Sequence, residues 1–322
     1  MRTLARRFPF LFYYVAALAI AVSVMVIYAA LVALDPTRAS MMATMFQWVE
    51  SHRLYSNAFT IARFAGSTGT WSALLILVFA VAPTVAACLT VASRDGTAGL
   101  RRWAARLKPA GSGVSAVQAG RTYALLAVVY GVGLAWYLWL TWRYGTPAEF
   151  SRVWATLGGS LPAVLAVAAI GPFLDEGGLL EEMGWRGYAL PLFQERMSPL
   201  SAAVVLGLLW GAWHLPREVL QLGGVSLSGW LGGQGMFALL TVSLSIVIAY
   251  FVNRTGGSVL PAIIIHGGTN VWSKAASGQA HAMFHTDVRT WIVVAGALAV
   301  VGCAGRNLGR TPVAAAAGTS ST

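Results

Sequence analysis

The chain alternates between long runs of apolar residues and short polar stretches, and an apolar run of about twenty residues is enough to cross a bilayer core as a helix. The clearest run is 10–34, twenty-five residues without a charge. Further runs at 71–92, 122–142, 161–193, 200–215, 236–252, 259–272 and 291–302 bring the predicted membrane segments to eight. Helix is imposed on all of them, because lipid offers no partner to an unpaired backbone N–H or carbonyl. Pro216 is expected to end the fifth run, since it cannot supply the amide that a continuing helix needs. The fourth run stands apart because acids interrupt it. The pattern predicts an all-α fold, a polytopic transmembrane helix bundle of about eight membrane helices, with no soluble domain and no internal repeat.

Composition agrees. Hydrophobic residues make up 57% of the chain and charged residues 10%, against about a quarter charged in a soluble domain. Residues 1–34 begin like a signal sequence, but a cleavable signal has an apolar region of only about 7–15 residues. Here the run is longer and ends at Asp35-Pro36, so an uncleaved first helix is expected. Cys88 and Cys303 lie in apolar runs, form no CxxC pair, and read as small buried residues.

The net charge of +11 does not point to nucleic acid, because no stretch is long or polar enough for a folded basic domain. The basic residues gather instead at segment ends. Threaded with the N-terminus inside, the inner segments hold thirteen Lys and Arg, including Arg2, Arg6, Arg7 and six between 94 and 121. The outer segments hold eight, among them Arg53, Arg217, Lys274 and Arg289. That bias places both termini in the cytoplasm. The lipid bilayer is the expected partner, with the basic segments facing anionic lipid. Residues 94–120 read as a cytoplasmic loop with an amphipathic stretch at 100–107, and 311–322 as a disordered tail.

Candidate chemistry lies where polarity intrudes on the apolar runs. Four of the eleven acids fall within eight positions: Asp175, Glu176, Glu181 and Glu182. Ionisable groups inside a membrane segment are costly and face a protein interior or a wet cavity. Glu182 and Arg186 are four apart in the favourable order for a helical ion pair, which leaves Glu181 unexplained. Trp210 and His214 are one turn apart on the fifth run, and His266 and Asn270 one turn apart on the seventh. His52, His281 and His285 fall in predicted outer loops, where solvation is the default. Each membrane histidine alone would suit a helix–helix hydrogen bond. Together, a carboxylate, two imidazoles and an amide are what water-driven peptide hydrolysis requires: a base for water and donors for the oxyanion.

These residues resemble the CAAX-protease and bacteriocin-processing (CPBP) family of intramembrane proteases, which includes the Ras-converting CAAX prenyl endopeptidase. Glu181-Glu182-Met183-Gly184-Trp185-Arg186 matches its EExxxR motif. Trp210 to His214 matches its aromatic-xxx-His motif, and His266 to Asn270 its HxxxN motif. Gly-Trp-Arg-Gly-Tyr at 184–188 and Trp-Gly-Ala-Trp-His-Leu-Pro at 210–216 resemble an Abi-like bacterial branch. The likeness covers 161–272 and implies the following division of the chain: N-terminal helices and loop at 1–150, protease core at 151–275, last membrane helix at 276–310, tail at 311–322.

The resemblance implies an endopeptidase in a bacterial plasma membrane that cuts a membrane-associated protein or peptide. Glu181 would be the base and Glu182 would assist while pairing with Arg186. His214 would hold the water, His266 and Asn270 would form the oxyanion site, and Trp210 would give structural support. The family carries a metalloprotease label. Glu181, His214 and His266 could ligate zinc, but the sequence has no HExxH and does not require it. Asp175-Glu176-Gly177-Gly178 departs from the family, whose members pass from Gly-Pro almost directly to the paired glutamates; the insertion is expected to kink or unwind the fourth helix. A catalytically idle binding or immunity partner, and a proton-coupled transporter, are the competing readings.

Overall fold

The computed structural model describes residues 2–52, 54–219, 224–276 and 288–310. Arg53, His281, His285 and the predicted tail 311–322 lie outside the described residues. No strand occurs among the described residues. The helices are α1 (Arg2–Arg7), α2 (Pro9–Leu34), α3 (Met41–Ser51), α4 (Ala58–Thr68), α5 (Leu75–Ala104), α6 (Ala116–Tyr144), α7 (Pro147–Thr156), α8 (Leu161–Ile170), α9 (Glu176–Gly184), α10 (Leu190–Gln194), α11 (Pro199–Trp213), α12 (Leu215–Glu218), α13 (Leu227–Arg254), α14 (Leu260–Ala276) and α15 (Val288–Ala304).

Among the described residues, seven helical stretches are long and apolar enough to cross a membrane: Pro9–Leu34, Trp71–Leu107, Ala116–Tyr144, Leu161–Gln194, Pro199–Glu218, Leu227–Arg254 and Arg289–Asn307. The remaining predicted segment is α14, at 17 residues. It rises about 25 Å, short of the roughly 30 Å hydrocarbon core. The polytopic helical bundle stands, with α14 shorter than the seven stretches that can cross.

Several elements differ from the sequence expectation for local reasons. The chain does not stop being helical at Pro216. α11 ends at Trp213 and α12 restarts with Pro216 in its first turn, where a missing amide costs nothing. The fourth segment is broken: α8 ends, Gly171–Phe173 turns as a 3-10 helix, and α9 starts afresh with Asp175 as its cap. The amphipathic stretch at 100–107 is the far end of α5, bent at Gly96, whose φ of 63° is open to glycine, followed by a 3-10 turn at Ala105–Leu107. Residues 35–74 are not merely a loop. A 3-10 turn, α3 and α4 build a satellite core from Met41, Met45, Ile61, Phe64 and Ala73. Cys303 is exposed rather than buried, and Cys88 is half-buried.

One hydrophobic core runs through the molecule, from Tyr13 and Ala17 of α2 through Phe79, Trp185, Trp213 and Phe251 to Leu308. α11 packs on α13, α5 on α9 and α2, and α13 on α15. One end of the bundle collects the basic connections. Val259 N donates to Arg106 O at 2.8 Å and Gly111 N to Thr255 O at 2.8 Å. Arg310 donates to Gln194 O at 2.7 Å and Asn253 to Leu308 O at 3.0 Å. The segments that the charge count assigns to one side are thus neighbours in space.

α9 lies deep because glycine lets its backbone meet its neighbours. A Cβ on Gly184 would sit 2.4 Å from Pro83 C in α5, and one on Gly178 would sit 2.7 Å from Gly267 N in α14. Such small-residue contacts suit a membrane bundle, where helices are held by close packing rather than by expulsion of water. Gly184→Ala is expected to destabilise the protein by about 1–3 kcal/mol, the usual range for overpacking, measured as a lowered melting temperature in detergent. Gly131→Ala in α6, where nothing lies within 4 Å of the new methyl, should melt no lower than the parent.

Candidate active site

The site is built around the second turn of α9. Asp175 Oδ1 accepts from Gly178 N at 2.7 Å and so fixes where the helix begins. Glu181 and Glu182 follow one turn later, and the helix then widens into a π turn at Trp185–Ala189 that carries Arg186. The adjacent acids have different partners. Glu182 Oε1 accepts from Arg186 Nη1 and pairs with His266 Nδ1, both at 2.7 Å. Glu181 Oε2 accepts from Trp210 Nε1 at 2.8 Å. Glu182 and Arg186 are fully buried, whereas Glu181 retains 5% exposure. Of the two, only Glu181 keeps any exposed surface.

Trp210 of α11 is the hub. Its ring meets the His266 ring edge-on at 4.8 Å and the Arg186 guanidinium at 4.4 Å, while its carbonyl holds His214 Nδ1 at 2.9 Å. A carbonyl can only accept, so Nδ1 of His214 carries the hydrogen and Nε2 is left with a lone pair. Phe79, Trp213 and Phe237 surround that imidazole. Arg186 spends Nη2 on Ser245 Oγ of α13 at 2.8 Å. Thus α9, α11, α13 and α14 each supply a polar group to one place, and Glu181, Glu182, His214, His266, Arg186 and Trp210 are gathered there.

Asn270 has partners beyond those the sequence suggested. Its Nδ2 donates to Asp175 Oδ1 at 3.0 Å, and its Oδ1 accepts from Arg289 at 3.4 Å. The same carboxylate accepts from Lys274 Nζ at 2.6 Å through Oδ2, and Lys274 also reaches both Glu176 oxygens, at 2.7 and 2.8 Å. The insertion ahead of the paired glutamates therefore interrupts the helix and docks it on α14. Sequence reading missed this. Lys274 counts there as an outer-loop charge, although its spacing of four from Asn270 places both on one helical face. Ser245, which shares its apolar run with Thr241 and Ser243, gave no signal that set it apart.

A metal does not fit the described residues. No three His, Cys, Asp or Glu side chains among them gather closely enough to hold an ion. Glu181, His214 and His266, all described, form no such group. No step below is routed through zinc.

Residues 157–272 match the family model described as Type II CAAX prenyl endopeptidase Rce1-like. A curated protein named CAAX prenyl protease 2, from Methanococcus maripaludis, is 33% identical over 90 residues. That alignment covers 27% of this chain and 32% of the archaeal protein, so the chain spans about a third of that relative's length. The Rce1-like stretch contains Glu181, Glu182, Arg186, Trp210, His214, His266 and Asn270.

Removing one partner of a buried ion pair costs about 3–5 kcal/mol, because a charge is stranded. Arg186→Met should therefore sharply lower the yield and melting temperature of folded protein in detergent. Adding Glu182→Gln to Arg186→Met should restore most of the loss.

Proposed function

Taking the Rce1-like character of residues 157–272 as premise, we propose that this chain is an intramembrane endopeptidase that hydrolyses a peptide bond in a membrane-associated protein or peptide. The observation that carries this reading is the unequal treatment of the adjacent acids. Glu182 is sealed against Arg186 and His266, while Glu181 keeps some exposure and has only an indole N–H on one oxygen. A base for water needs that freedom.

In the proposed reaction Glu181 takes a proton from water as the oxygen attacks the substrate carbonyl. His214 Nε2 accepts the water's second hydrogen and orients it. The carbonyl oxygen becomes an oxyanion that takes hydrogen bonds from protonated His266 at Nε2 and from the second Nδ2 hydrogen of Asn270. Glu181 then returns its proton to the leaving nitrogen, the C–N bond breaks, and a carboxylic acid and an amine result. Glu182 holds His266 by Nδ1, and Arg186 balances its charge.

The working core is taken as 151–275, in a bacterial plasma membrane with the basic end of the bundle toward the cytoplasm. That placement follows the charge bias and the proximity of the basic connections. The substrate class is membrane-associated because the candidate groups lie among membrane helices; prenylated proteins are one such class.

The test compares membrane proteomes of cells carrying the parent chain, Glu181→Gln or His266→Ala at equal abundance. A peptide bond cut in the parent should be cut at least about 10²-fold more slowly in both variants, the lower range for losing a general acid–base group. Identical peptides in all three would defeat the proposal and favour the idle binding or immunity partner.

A further inference from the structure

The proposed reaction uses Asn270, yet nothing in it explains why the Asn270 amide should point correctly. The described structure holds the Asn270 side chain at both ends, by Asp175 at Nδ2 and by Arg289 at Oδ1. Asp175 is fully buried and is itself fixed twice more, by Gly178 N on Oδ1 and Lys274 Nζ on Oδ2. We infer that Asp175, held by Lys274, is a positioning residue that aims the Asn270 amide at the reacting carbonyl. This inference rests on the peptidase reading above and deepens it.

Three observations carry it. First, one oxygen serves two helices. Asp175 Oδ1 caps α9, which bears Glu181 and Glu182, and also receives Asn270 of α14, so it sets base and oxyanion donor relative to each other. Second, His266, Asn270 and Lys274 recur every four residues along one face of α14. Glu182 engages the first of them and Asp175 the other two. Third, His266 and Asn270 both pack against Gly177, in the first turn of α9. A Cβ on Gly177 would lie 2.9 Å from His266 Nε2 and 3.1 Å from Asn270 Nδ2. With one Nδ2 hydrogen on Asp175, the amide plane is set and the other hydrogen has a defined direction. The Lys274 ammonium lets Asp175 remain a buried carboxylate rather than a stranded charge.

The experiment uses full-length protein in liposomes and, as reporter, a peptide whose cleavage in the proteome comparison depends on Glu181. Asp175→Ser keeps a hydroxyl to cap Gly178 N but is too short to hold Asn270; Asp175→Asn keeps an accepting oxygen for both. Lys274 retains Glu176 in either case. Asp175→Ser should lower kcat about 10- to 100-fold at unchanged KM, as for loss of much of one oxyanion donor. Asp175→Asn should stay within about threefold of the parent, because its acceptor survives. In an Asn270→Ala background, Asp175→Ser should cost little more, since the group it aims is gone. Rates are referred to the folded fraction seen in the melt, so a partly unfolded variant still reports.

An Asp175→Ser loss that is undiminished by Asn270→Ala, or that falls on KM, would overturn the inference and leave Asp175 a structural cap. Absence of any peptide whose cleavage depends on Glu181 would overturn the peptidase reading instead.

Discussion

A single carboxylate oxygen, Glu182 Oε1, organises the centre of this protein. It accepts an arginine from its own helix and a histidine from α14, in a place that neither water nor lipid headgroups reach. A bare carboxylate there would cost several kcal/mol, and the pair is favourable only with good geometry and further hydrogen bonds. Ser245 and the face of Trp210 meet part of that need by engaging Nη2 and the plane of the guanidinium, while Arg186 Nε and Glu182 Oε2 have no hydrogen-bond partner. Four helices must therefore arrive together before any of these charges is tolerable, and the arrangement that settles Glu182 also delivers Glu181 to the indole of Trp210, whose carbonyl holds His214.

Neighbouring acids acquire different characters from this constraint. Along one helix, consecutive side chains point about 100° apart, so Glu182 faces α14 while Glu181 faces the indole of Trp210. The π turn that follows brings Arg186 back over the same ring. Trp210 acts as both spacer and donor: its N–H marks one oxygen of Glu181, its ring supports two cationic or potentially cationic groups, and its carbonyl sets the tautomer of His214. Phenylalanine at this position would supply the ring and the carbonyl but not the N–H.

What the sequence reveals follows from what lipid demands. Membrane helices were legible because an apolar run in a bilayer has no alternative to helix. Glu181, Glu182, Arg186, Trp210, His214 and His266 were legible because each is an expensive exception in such a run. α3 and α4 were not, since their apolar faces pack against each other with no long run to mark them. The break at Gly171–Asp175 was foreseeable as a disturbance, but its docking on Lys274 was not, because charge counting treats a lysine near a segment end as solvated. Asn270 shows the limit most clearly. Its spacing from His266 was read correctly, whereas its orientation depends on Asp175, ninety-five positions away. The zinc trio fails for a similar reason: ligand type is visible in a sequence, but mutual distance is not.

α2 has a further consequence. It lies outside the Rce1-like stretch, yet Tyr13, Ala17, Ala21 and Val24 form a buried stripe along it. Trp213 donates to Ala17 O at 3.3 Å, and Tyr14 donates to Leu209 O at 3.0 Å. Tyr13 stands edge-on to Trp185, the residue before the buried arginine, with ring centres 5.7 Å apart. The two alanines leave just enough girth for a tryptophan to seat against bare backbone. A chimera that replaced this helix with a generic hydrophobic anchor would still enter the membrane, but the anchor's bulkier side chains would wedge the tryptophans apart. The recognisable third of the molecule is not portable, and α2 works as a fitted wall rather than as a tether.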